Sequence, residues 1–111
     1  MPQVDKDGDI RFQYQMRRFF ILINEKDEYY LRICLPGIYQ VDENNRVDVL
    51  EACNAVSANL KVAKCYITPR NHVWATADQL LDKTPNYEDV IPRSIRILMD
   101  AQAEFYKQIN E

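Results

Sequence analysis

Residues 10–35 read IRFQYQMRRFFILINEKDEYYLRICL, and this stretch decides the fold. Ile10, Phe12 and Tyr14 alternate with Arg11, Gln13 and Gln15, the period of two that marks a strand with one face on a core and the other in water. After a short reversal around Gln15 to Arg17, the run from Arg18 to Asn24 is apolar on both faces, which predicts a central strand covered on each side. Asn24-Glu25-Lys26-Asp27 supplies turn residues, and from Glu28 to Leu35 the residues Tyr29, Leu31, Ile33 and Leu35 alternate against Tyr30, Arg32 and Cys34. Pro36-Gly37 is expected to end that strand. The connections are too short for parallel crossovers, so the three strands are predicted to form an antiparallel meander.

Beyond the meander the period changes. Asp42-Glu43-Asn44-Asn45 offers N-cap oxygens, and Val49, Cys53, Val56 and Leu60 recur on one stripe, so the spacing predicts a helix from about Asn45 to Ala58. Asn59 suits a left-handed helix C-cap. Lys61 to Thr68 and His72 to about Leu80 are predicted to pair as a hairpin across Pro69-Arg70-Asn71. Pro92 favours the first turn of a helix, so the closing helix is expected to begin near it, with Ile95, Leu98, Ala101, Phe105 and Ile109 forming its apolar stripe. The predicted fold class is therefore α+β: a twisted antiparallel sheet of about five strands, in the order β-β-β-α-β-β-α, packed against two helices.

A chain of 111 residues that is 47% hydrophobic and 28% charged has the size and balance of a single globular domain, here residues 1–111, and not of a disordered chain. The apolar runs fall short of the roughly 18 residues a membrane span needs, and Met-Pro-Gln-Val-Asp at the start is unlike a secretory signal, so no membrane association is expected. Cys34, Cys53 and Cys65 form an odd and scattered set, which predicts free, core-facing thiols and a cytoplasmic location. A net charge of −3 argues against nucleic acid as the partner.

Three local patterns invite chemistry. Asp5-Lys6-Asp7-Gly8-Asp9 has the composition of a calcium loop, but with Gly8 at the sixth position the bidentate acid would fall at Tyr14, so the run reads as a turn. Cys65 and His72 lie on consecutive strands and could pair as an activated nucleophile. The expected register sets Ile67 opposite His72 and Cys65 opposite Trp74, which leaves the imidazole at the turn in solvent and the thiol in the core. Arg11, Arg17, Arg18 and Arg32, interleaved with Tyr14, Phe20 and Tyr30, could form a base-stacking sheet, yet arginines on strand exteriors more often guard edges and cover apolar surface with their stems. No catalytic, metal or cofactor site is expected, and a cysteine-dependent enzyme or a single-stranded nucleic-acid-binding sheet is the alternative reading.

Four segments together, DGDIRFQYQMRRFFILIN, EYYLRICLP, LEACNAVSANLKVAKCYI and VIPRSIRILMDAQAEFY, resemble bacterial YbjN-like proteins with the type III secretion chaperone-like fold. The resemblance is carried by Asp7-Gly8, Asn54, Lys61-Val62-Ala63-Lys64 and the stretch Ala101 to Phe105. It implies a strongly twisted sheet against helices, common dimers, and a groove that holds an extended segment of another polypeptide. Such proteins usually carry a helix before the first strand, where this chain begins at Met1-Pro2. Its absence is expected to leave an apolar sheet face uncovered, which predicts a homodimer. The resulting expectation is a non-enzymatic, chaperone-like or regulatory domain that binds another protein or peptide, with Phe12, Tyr14, Phe20, Tyr30 and Trp74 as the contact residues.

Overall fold

The computed structural model describes residues 2–4, 9–22, 30–81, 83–84 and 86–110. Eight elements follow in order: β1 (Gln3–Val4), β2 (Ile10–Tyr14), β3 (Arg17–Leu22), β4 (Tyr30–Gln40), α1 (Arg46–Asn59), β5 (Ala63–Ile67), β6 (His72–Leu80) and α2 (Tyr87–Ile109). The strands make one six-stranded sheet in the spatial order β1-β2-β3-β4-β6-β5, with every neighbouring pair antiparallel. The meander of β2, β3 and β4 is as expected. The sheet has six strands rather than five because Gln3 and Val4 add a two-residue edge, too short to show a period. Asp5 to Gly8, all of the calcium-like run except Asp9, and the turn residues Asn24 to Asp27 lie outside the described residues.

Turn chemistry explains the pairing. Gln15 and Met16 both adopt positive φ, 49° and 65°, and so close β2 and β3 in a two-residue hairpin whose twist matches that of the strands. Between β5 and β6, Asn71 donates its N–H to the Thr68 carbonyl at 2.9 Å and holds a φ of 64°. This is a type I turn with Pro69 in its favoured place, completed by a left-handed residue. The three-residue loop shifts the register by one from the expected pairing: Ile67 lies opposite Val73 and Cys65 opposite Ala75.

Pro36-Gly37 interrupts β4 without ending it. Leu35 pairs with Ala75 and Tyr39 with Val73, so Pro36, Gly37 and Ile38 bulge opposite the single residue Trp74. Gly37 takes the left-handed φ of 64° that the bulge requires. The strand then runs on to Gln40.

Helix α1 matches its expected span within one residue. Asp42 and Asn45 tie up the preceding turn: Asp42 Oδ1 accepts the N–H of Asn44 at 2.8 Å and of Asn45 at 2.9 Å. At its other end Asn59 is still helical, and the left-handed residue is Val62, with a φ of 71°. Helix α2 begins at Tyr87 rather than near Pro92. Asn86 caps it by accepting the Asp89 N–H at 3.3 Å, and Glu88 and Asp89 complement the helix dipole in the first turn. Pro92 costs only the bond to the exposed Glu88.

Both helices cover the same face of the sheet. There Phe19, Ile21, Leu31, Ile33 and Leu35 supply bulk from β3 and β4, while Ala63, Ala75 and Ala77 keep β5 and β6 low. Small residues on that side let Val49, Ala52, Cys53 and Val56 of α1 and Leu98, Ala101 and Phe105 of α2 reach the sheet and close the core. Polar bridges fasten α2 as well: Gln79 donates to the buried Ser94 hydroxyl, Arg17 donates to Gln102, and the Tyr106 hydroxyl donates to the Ile38 carbonyl at 2.7 Å.

Candidate functional site

The opposite face carries no helix among the described residues. Because side chains alternate along a strand, the register places Arg11, Phe20, Cys34, Thr76 and Lys64 in one row across five strands on that face. Leu22, Arg32 and Asp78 form a second row, and Tyr66 lies beside Trp74. The cover expected on this second face of β3 is therefore not supplied by a helix among the described residues.

Side chains supply the cover instead. Phe20 and Trp74 stack nearly parallel, ring centroids 6.5 Å apart with planes within 5°, although β4 runs between their strands. The rings shield that strand, so Cys34 and Thr76 are both 0% exposed on a face without a helix. The Thr76 hydroxyl is buried there with no hydrogen-bond partner. The Arg11 guanidinium sits 5.9 Å over the Phe20 ring and extends the layer sideways. A hollow of about 440 Å³, lined in part by Arg11, Arg18 and Phe20, opens at that end of the face.

An ion cluster borders the aromatic pair. Asp78 accepts hydrogen bonds from Nε and Nη2 of Arg32, at 2.7 and 3.0 Å, and pairs with the Lys64 ammonium at 3.0 Å. Burial opposes charge on Asp78, but the hydrogen bonds from Arg32 and Lys64 outweigh it and hold the carboxyl below the usual carboxylate range. The hydrogen bond to Asp78 likewise raises the Arg32 pKa. Each cation also faces a ring, Arg32 at 5.7 Å from Tyr30 and Lys64 at 6.0 Å from Tyr66. Burial pushes the Tyr66 hydroxyl up.

The five aromatic residues singled out from the sequence divide between the faces. Phe20, Tyr30 and Trp74 lie on the open face, whereas Phe12 stacks on Phe19 at 5.4 Å under the helix layer. Tyr14 is exposed at the rim of the helix side, in a hollow of about 280 Å³ with Ile95 and Met99. Sequence reasoning missed Asp78, Lys64 and Tyr66, because a cluster assembled across three strands leaves no local signal. Arg32, seen earlier as a candidate base-stacking cation, is neutralised by Asp78.

The thiol and imidazole pair is not assembled. With the observed register Cys65 faces the helices, and His72, opposite Gln40 and out of step with that face, is half-buried rather than free in solvent. Burial pushes the Cys34 thiol up to about 12, so it stays protonated under its aromatic cover. No group of three or more metal-binding side chains occurs among the described residues, and no helix there is long and apolar enough to cross a membrane.

The fold and this face define a class: an α+β domain with one open antiparallel sheet, helices on one side and a cation and aromatic layer on the other. Over residues 2–111 the chain matches the YbjN family, described as "Putative bacterial sensory transduction regulator", and it belongs to that family. No curated protein matches the chain.

Proposed function

We infer that this chain is a non-enzymatic regulatory domain of the secretion chaperone-like kind, which holds another polypeptide on the open face of its sheet. The observation that carries this reading is the stacked Phe20 and Trp74 pair with Tyr30 and the Asp78 ion cluster beside it. Rings on rigid strands offer contact area at low entropic cost, and the paired charges around them set which partner fits. A second copy of the chain occupies the same face when no partner is present, which makes the free protein a homodimer. Membership of a regulator family and three free thiols support a role in a reducing cytoplasm.

Nucleic acid fits this face less well. Arg32 and Lys64, two of its cations, are already held by Asp78, and the chain is acidic. Phosphate binding needs cations that can exchange their counterions.

The test is a photocrosslinking residue placed at Phe20 in the full chain, with an exposed helix position, Glu51, as control. Irradiation in native cells is expected to give an adduct with a polypeptide from Phe20 and none from Glu51. The purified chain is expected to run as a dimer by light scattering in the micromolar range, and Trp74→Ala as a monomer. A purified chain that is monomeric throughout, with no adduct at Phe20, would sink the reading.

A further inference from the structure

The floor of the open face holds a polar atom that nothing satisfies. Thr76 stands midway along β6, beside Cys34 of β4 and Lys64 of β5. It is 0% exposed, and its hydroxyl is the one buried side-chain polar atom without a hydrogen-bond partner among the described residues. Ser94, the other buried polar residue, shows the usual arrangement: its hydroxyl accepts from Gln79 and donates to the Val90 carbonyl at 2.8 Å. A hydroxyl shut away from water without a partner lowers stability, and valine has the same shape without that cost.

We propose that Thr76 Oγ1 is a binding atom: the partner polypeptide inserts one tryptophan or tyrosine side chain between Phe20 and Trp74, and the polar edge of that ring hydrogen-bonds the Thr76 hydroxyl. This rests on the reading that the open face holds a polypeptide. The walls select a flat guest, because Phe20 and Trp74 lie within 5° of parallel with centroids 6.5 Å apart, so a third ring stacks on both once they move aside. The floor selects a guest with a single polar atom. An indole N–H or a phenol O–H is satisfied there, whereas a carboxylate, an amide or a guanidinium brings further polar atoms with it. The neighbouring charges offer those atoms no partner, since Arg32 and Lys64 are already held by Asp78. A serine or threonine guest has one polar atom too, but too little surface to replace the contact the rings lose in parting.

Thr76 therefore acts with opposite signs in the two states. In the free chain its closed-off hydroxyl destabilises the face. In the bound chain the same hydroxyl is paired, and it discriminates against a ring that has no polar edge. A threonine kept for packing alone shows neither effect, since its methyl and β-branch serve as well in valine.

The test titrates the isotope-labelled full chain with N-acetyltryptophanamide and N-acetyltyrosinamide, using N-acetylphenylalaninamide as the probe without a polar edge, and reads binding from the NMR shifts of Phe20, Cys34 and Thr76. The first two probes are expected to bind about tenfold more tightly than the third. Thr76→Val is expected to melt about 3–6 °C above wild type and to bind all three alike. Thr76→Ser keeps the hydroxyl and should keep the preference; if Thr76→Val does not fold, wild type and Thr76→Ser carry the test. No shift at these residues, equal binding of the three probes by wild type, a lower melting temperature for Thr76→Val, or a preference that survives in that variant would each overturn the proposal. Should the Phe20 crosslink still form alongside any of these results, the failure lies with the Thr76 contact and the broader reading stands; if it does not form, both fall.

Discussion

The two faces of this one sheet are built from alternate residues of the same strands, yet they are closed by different means. On one side Phe19, Ile33 and Ala77 meet Val49, Leu98 and Phe105 from two helices, and all six are buried. On the other, Cys34 and Thr76 are buried as completely, under two half-buried rings and beside an ion cluster. The first face holds the domain together. The second is closed, among the described residues, by side chains of the strands themselves.

The comparison breaks if the two faces respond alike to truncation. Phe105→Ala removes a fully buried ring that meets Tyr39 at 5.4 Å, and it is expected to cost about 3–5 kcal/mol in urea unfolding. Trp74→Ala removes a larger ring from the open face, yet the expected cost is smaller, about 1–3 kcal/mol, because part of that ring is already in water. A cost equal to that of Phe105→Ala would show that the open face is core. Trp74 is the one tryptophan of the chain, so its fluorescence reports on this face directly.

The smallest effect belongs to the ions. Asp78→Asn keeps the shape but removes the charge held by Arg32 and Lys64, and it should cost about 1–2 kcal/mol at neutral pH. The sign with pH follows from the depressed carboxyl. Asp78 binds fewer protons folded than unfolded, so its contribution is complete above its unfolded pKa of about 3.9 and is lost as pH falls through the lower folded value. The gap between wild type and Asp78→Asn should therefore close in acid. A gap that is unchanged at low pH would assign the cost to packing rather than to charge.

Much of the architecture was legible because alternation and helical spacing are local. Ile10, Phe12 and Tyr14 marked β2, and Val49, Cys53 and Val56 marked α1, each within a residue or so of its place. What sequence misjudged was punctuation. Pro36-Gly37 can end a strand or bulge it, and the partner strand decides which. Pro92 suits a first turn, but Asn86 caps the helix earlier and the proline is tolerated inside. Asn71, by turning left-handed, moved the β5 and β6 register by one and separated Cys65 from Trp74. Site residues were harder to read, since alternation says that Phe12 and Tyr14 share a face but not that helices cover it. Asp78 and Arg32 lie on strands separated by a helix and another strand, and their pairing exists only in three dimensions.

The bulge in β4 bears on how the molecule could be divided. Residues before it pair with β3, while after it Tyr39 packs on Phe105 and the Ile38 carbonyl receives Tyr106. One continuous strand is thus a spine shared by the meander and the helical layer, and neither half forms an autonomous unit. A chain cut at Gly37 leaves both fragments without a partner for their longest ladder, whereas new termini in the exposed Pro69-Arg70-Asn71 turn leave every ladder whole.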